Sequence, residues 1–111
     1  MKRLMIALAL CTFVLTIASS ASAQSAADNY KSKCQMCHGP TGKADTAMGK
    51  KLNMKDWHSP EVQQMSDDDL FKAISDGVSK QGKVTMPAYK GKLSDDQIHE
   101  LVAHVRELGK Q

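Results

Sequence analysis

Apolar positions recur with a helical period in three stretches of the chain. Ile98, Leu101, Val102, Val105 and Leu108 fall on one face of a helix predicted over Asp95 to Leu108. Ser94-Asp95-Asp96-Gln97 supplies its capping box and Gly109 its stop. Leu70, Phe71, Ile74 and Val78 repeat the spacing and predict a second helix over Asp67 to Asp76. Ser66 opens that helix, Asp67, Asp68 and Asp69 sit where the helix dipole favours negative charge, and Gly77 closes it. A third helix is predicted from Ser25 to Cys37, with Ser25 and Asp28 placed to form a capping box. Between the helices, the stretch from His38 to Pro60 is rich in glycine, lysine and small polar residues. The stretch from Ser79 to Leu93 holds Gly82, Pro87 and Gly91, and both stretches read as loop. No segment alternates cleanly enough to predict a strand. The pattern gives an all-α domain of three main helices with long loops.

The first 23 residues lie outside this scheme. Lys2 and Arg3 precede an apolar run from Leu4 to Ala18, and Ala21-Ser22-Ala23 supplies the small residues that signal peptidase requires. The run is shorter than the roughly 20 residues a membrane span needs. Residues 1–23 are therefore expected to be a cleaved signal peptide, with residues 24–111 forming one domain. Cys11 sits in mid-run behind Leu10 and reads as apolar filler rather than a lipidation site.

Cleavage changes the charge. The leader carries two of the 15 lysines and arginines and none of the 12 acidic residues, so the net charge falls from +3 to +1. That balance gives no support for a nucleic-acid partner.

Removing 23 residues from 111 leaves 88, with Tyr30, Trp57, Phe71 and Tyr89 as the only aromatics. So small a core normally needs a staple. Cys34 and Cys37 are the two remaining cysteines, and a bridge between them would close too short a loop to stabilise much.

Cys34-Gln35-Met36-Cys37-His38 is the chemically informative stretch. Such spacing serves a redox disulfide, a metal knot or covalent haem attachment. A thioredoxin-type pair sits beside a βαβ pattern, which is missing here. A structural zinc needs four ligands, and His58, His99 and His104 show no ligand spacing. Haem accounts for the most. Two thiols add across two vinyl groups, His38 is delivered to the iron from one side, and a large flat macrocycle fills the thin core.

A sixth ligand is sought among the methionines. Met36 lies between the cysteines, and Met48, Met54 and Met65 read as gap-filling hydrophobes. Met86 precedes Pro87 in an irregular loop, where a stiffened backbone can hold a weak thioether ligand.

Cys34-x-x-Cys37-His38-Gly39, then Met86-Pro87-Ala88-Tyr89, then the closing helix from Leu93 to Leu108, resemble a class I c-type cytochrome, the small soluble monohaem kind of bacteria. The resemblance covers essentially the whole mature chain. It implies one haem c bound through Cys34 and Cys37, with His38 and Met86 as axial ligands. It implies that the first and last helices cross closely, with Tyr30 at the crossing. His104 stands there in place of the family's usual second aromatic. Trp57 is implied as a contact of a haem propionate, and Pro40 as a candidate acceptor for the His38 ring N–H. The function implied is single-electron transfer in the periplasm and not catalysis. The expected partners are redox proteins: a membrane quinol-oxidising complex, a terminal oxidase, a dehydrogenase or a peroxidase. The protein is expected to be a monomer, with Lys31, Lys33, Lys43, Lys50, Lys51 and Lys90 around the exposed haem edge or on a solvated face. Two rival readings remain: a haem sensor or gas-binding module with a labile sixth ligand, and an electron-transfer subunit of a larger redox enzyme.

Overall fold

The computed structural model describes residues 25–111. The expected leader lies outside the described residues. Six helices and one hairpin are present among them: α1 (Ala26–Lys33), α2 (Gln35–His38), α3 (Ala47–Lys51), α4 (Pro60–Gln63), α5 (Asp67–Asp76), β1 (Val78–Lys80), β2 (Lys83–Met86) and α6 (Asp95–Leu108).

The two strongest periodic segments form with the expected boundaries. Ser94 Oγ accepts the Gln97 amide at 3.1 Å and Gln97 Oε1 accepts the Ser94 amide at 2.9 Å, so the box that opens α6 is complete. Ser66 Oγ accepts the Asp69 amide at 3.1 Å at the head of α5. Each such cap is worth about 1 kcal/mol.

The first expected helix departs from its reading. Ser25 Oγ takes the Asp28 amide at 3.2 Å without a reciprocal bond from Asp28. The helix then breaks at Cys34, whose φ of −117° turns the chain, and a separate single turn, α2, carries Cys37 and His38.

Residues 38–60, read as loop, contain α3, and α4 begins at Pro60. Thr46 caps α3 by accepting the Gly49 amide at 2.9 Å, and Ser59 and Pro60 start α4. Both helices are four or five residues long, too short to show a period.

The expectation of no strand is overturned as well. β1 and β2 pair antiparallel, with Val78 opposite Met86 and Lys80 opposite Lys83. The connecting residues Gln81 and Gly82 have φ of 51° and 77°, the left-handed pair that a two-residue hairpin turn requires. Glutamine is not a usual residue for that first position. The strands are also too short to alternate, so the sequence hid the turn.

α6 is the centre of the molecule and packs against both α1 and α5. Its stripe is buried, with Ile98 and Leu101 fully enclosed, and it meets Tyr30, Trp57, Val62, Leu70, Ile74 and Leu93 in one core. Burial stabilises by roughly 1.5–3 kcal/mol per side chain of this stripe.

Arg106, on the same helix, fastens α6 to the start of α5. Its Nε donates to Asp67 Oδ1 at 2.9 Å, its Nη1 to the Gln63 carbonyl at 3.4 Å and its Nη2 to the Met65 carbonyl. Asp67 is exposed, so the ion pair contributes little, whereas the bond to the Met65 carbonyl lies in partly buried ground. Arg106→Ala is expected to cost about 1–2 kcal/mol, and Asp67→Asn less than about 1 kcal/mol. Thermal unfolding followed by circular dichroism checks this. Equal losses in the two variants would place the stabilisation in the ion pair instead.

Candidate functional site

The cysteine motif is built on the single turn of α2. Its backbone is held on three sides. Tyr30 of α1 accepts the Cys34 amide through its carbonyl at 2.9 Å, and its Oη donates to the Gly39 carbonyl. Thr46 Oγ1 donates to the Cys37 carbonyl at 2.8 Å, and the Ala44 amide to the His38 carbonyl at 2.9 Å. The motif is thereby pinned between α1 and α3.

Cys34 and Cys37 are half-buried free thiols. Burial pushes the Cys34 thiol up to about 11, against the pull of the Lys33 cation. It is therefore a neutral thiol at pH 7 rather than a ready-made metal thiolate. No group of three or more His, Cys, Asp or Glu among the described residues is arranged to hold a metal ion.

His38 is the opposite kind of group. Burial lowers its imidazole to about 4, so at pH 7 the ring is neutral and keeps a lone pair for a metal. The ring lies 4.6 Å from the Trp57 ring at an interplanar angle of 32°. Its Nδ1 is buried and makes no hydrogen bond, to Pro40 or to any other described residue. The expected Pro40 contact is therefore not formed.

Trp57 itself is fixed through its backbone: its amide donates to the Gly42 carbonyl at 2.9 Å, and its carbonyl accepts Gln63 Nε2 at 2.6 Å. A Cβ on Gly42 would stand 2.4 Å from the Trp57 ring, so only glycine allows the loop to lie flat on the indole. Behind Trp57 the rings continue. Tyr30 lies 5.5 Å from Trp57, and His104 lies 5.1 Å from Tyr30, which puts the histidine at the α1–α6 crossing as a stacking partner.

His38 and Trp57 line an apolar cleft of about 280 Å³. Met86 lines it too, from the end of β2, with its side chain packed against the core. A smaller adjoining pocket is lined by Cys34, Cys37, His38 and Met86 together. The structure thus brings all five site residues read from the sequence to one place.

Met54 and Met65, read as fillers, also line the cleft, and Met54 reaches both pockets. Met36 and Met48 are exposed. Lys55, Lys80 and Thr85 are polar lining residues that sequence reasoning missed. They carry no motif, and only the fold brings them to the cleft.

The donor set fits a covalently held haem: two thiols beside the slot, a neutral imidazole with an orphaned buried nitrogen, a thioether, and apolar walls. A zinc or redox-disulfide site would need neither the slot nor the thioether.

A family model described as cytochrome c oxidase, cbb3-type, subunit III, matches residues 21–105. Among solved structures, the chain is similar to the KustC0563 c-type cytochrome, with 27% identity and a TM-score of 0.66, over 76% of this chain and 96% of that one. No curated protein matches. A match across that much of the sequence, on a cleft with these donors, means that the chain belongs to this family and is a small c-type cytochrome with a cytochrome c-like fold and covalently bound haem c.

Proposed function

We propose that the protein is a periplasmic carrier of single electrons, with one haem c attached through Cys34 and Cys37 and ligated by His38 and Met86. The observation that carries this reading is the shared cleft: His38 and Met86 line the same apolar slot, with both cysteines beside it. When bound, the haem supplies a one-electron couple.

The residues of the chain set the terms of that couple. His38 enters as a neutral ring oriented by Trp57, and Met86 offers a thioether that favours the reduced metal and raises the potential. Held by both His38 and Met86, the haem would offer a substrate no open place, and the chain would carry electrons rather than catalyse. Trp57, which lines the cleft, is the proposed contact of a haem propionate. Met36 is 78% exposed beside Cys37, and Lys33 lines the cysteine pocket. These features support the cysteine edge as the surface that partners touch.

Partners follow from the family. Its description supports a redox partner in an oxidase context, so a terminal oxidase comes first. A membrane quinol-oxidising complex, a dehydrogenase or a peroxidase are the other candidate donors and acceptors. No described helix is long and apolar enough to cross a membrane. Export by residues 1–23 and a monomeric state complete the proposal.

The test is spectroscopic. The oxidised protein is expected to show a weak near-infrared sulfur-to-iron band, and the reduced protein is expected not to bind CO. Fast, tight CO binding by the wild type would replace the carrier with a gas-binding or sensing module.

A further inference from the structure

α5 ends at Gly77 with φ of 76° and ψ of −179°. The unusual feature is what lies against it. A Cβ built on Gly77 would stand 2.6 Å from the Met86 carbonyl oxygen, 2.9 Å from the Ala88 amide nitrogen and 3.0 Å from the Pro87 carbonyl carbon. All three are backbone atoms of the segment that carries Met86, and none can swing aside as a side chain could. Pro87 stiffens that segment further.

The same end of α5 holds the next two residues. The Tyr89 amide donates to the Ile74 carbonyl and the Lys90 amide to the Ser75 carbonyl, each at 3.0 Å. From the other side, Tyr89 Oη donates to the Lys33 carbonyl at 3.1 Å, one residue before Cys34. The Met86 segment is therefore clasped between the last turn of α5 and the residue that precedes the cysteine motif. The register of Val78 opposite Met86, with a bulge between Val78 and Ser79, continues the clasp into the hairpin.

We propose that Gly77 is a positioning residue for the Met86 thioether: its missing Cβ sets how close the Met86–Ala88 backbone lies to α5, and so whether the sulfur holds its place as ligand. The inference rests on the reading that Met86 is the sixth ligand. A functional group must be held to within about 0.5 Å to work. A methyl group pressed to 2.6 Å of a carbonyl oxygen forces a shift of at least that order. A thioether is a weak ligand and yields first.

Holoprotein carrying Gly77→Ala tests this by imidazole titration of the oxidised form, read beside the near-infrared sulfur band. The expected result is a weakened band, a lowered midpoint potential and a rise of about tenfold or more in imidazole affinity. Leu108→Ala serves as control, since it removes a buried core side chain that lines neither pocket. It is expected to lower the melting temperature and leave the band and imidazole affinity at wild-type values. Tyr89→Phe removes only the bond to Lys33 and is expected to raise imidazole affinity by a smaller factor.

A Gly77→Ala protein that melts earlier yet keeps the wild-type band and affinity overturns the proposal. So does a Leu108→Ala protein that loses the band equally. If Gly77→Ala yields no holoprotein, Tyr89→Phe decides, and wild-type imidazole affinity there overturns the proposal. Failure of the ligand reading looks different: Met86→Ala itself would keep the wild-type band.

Discussion

Replacing Cys34 and Cys37 together by alanine is expected to leave a chain that neither accumulates as holoprotein in the periplasm nor folds cooperatively without haem. The reason lies in the core. Of its eleven buried residues, five (Trp57, Val62, Leu70, Ile74 and Val105) also line the cleft. The walls of the cleft and the core of the domain thus share these five side chains. Cavity series give about 24 cal/mol of destabilisation per Å³ left unfilled. For a cleft of about 280 Å³ that comes to roughly 7 kcal/mol, comparable with the whole stability of a small domain. The open side of the cleft admits water and lessens this figure, but the domain has little to spare. Far-UV circular dichroism of the double variant is expected to show loss of most helix signal and no sharp melt. A cooperative transition with wild-type helix content would mean that α1, α5 and α6 make a sufficient core by themselves. Either single variant keeps one thiol and is expected to fall between the two.

Local codes explain what was legible. α5 and α6 match their expected limits because a serine cap, an apolar period and a closing glycine coincide in each. The first helix was read too long, since nothing in Cys34-Gln35-Met36-Cys37 marks the turn at Cys34. The residues after that turn are held by tertiary bonds from Tyr30 to the Gly39 carbonyl, from Ala44 to the His38 carbonyl and from Thr46 to the Cys37 carbonyl. The hairpin was missed because Gln81 carries a left-handed conformation usually given to Asn or Gly.

The site divides along the same line. Cys34, Cys37 and His38 are neighbours in sequence, and Met86 is marked by Pro87. The stacking of Trp57 on His38 and the approach of Met54 and Lys55 to the cleft depend on how residues 42–63 wrap back over α2, and Met65 and Lys80 reach it from the segments that flank α5, which no local pattern records. Gly77 shows both sides at once. Its sequence signal is a helix stop, and its contact with the Met86 backbone exists only in the fold.

Met86→Ala is expected to leave haem attached and open the iron. In the proposed site attachment would rest on Cys34 and Cys37, and His38 would keep its place because Trp57 and the backbone of α2 hold it. If Met86 is the ligand, loss of its thioether would disfavour reduced iron, so the midpoint potential is expected to fall by about 0.1–0.3 V, within the roughly 0.8 V that axial ligation spans. The near-infrared sulfur band is expected to vanish, and the reduced protein is expected to bind CO. Met54 and Met65 sharpen the test, because both line the same cleft and could in principle supply a substitute sulfur. Met54 follows α3 and bonds its amide to the Gly49 carbonyl at 2.9 Å, and Met65 packs against the core with its carbonyl held by Arg106. Both backbones are tied down by bonds to partners outside β2. Met54→Ala and Met65→Ala are therefore expected to keep the wild-type band and nearly the wild-type potential, as is Met48→Ala, whose side chain is exposed. CO titration of the reduced proteins decides among these. Tight binding by Met86→Ala alone assigns the sulfur to Met86. A sulfur band that persists in Met86→Ala and disappears only when Met54 or Met65 is removed as well would move the ligand to that residue.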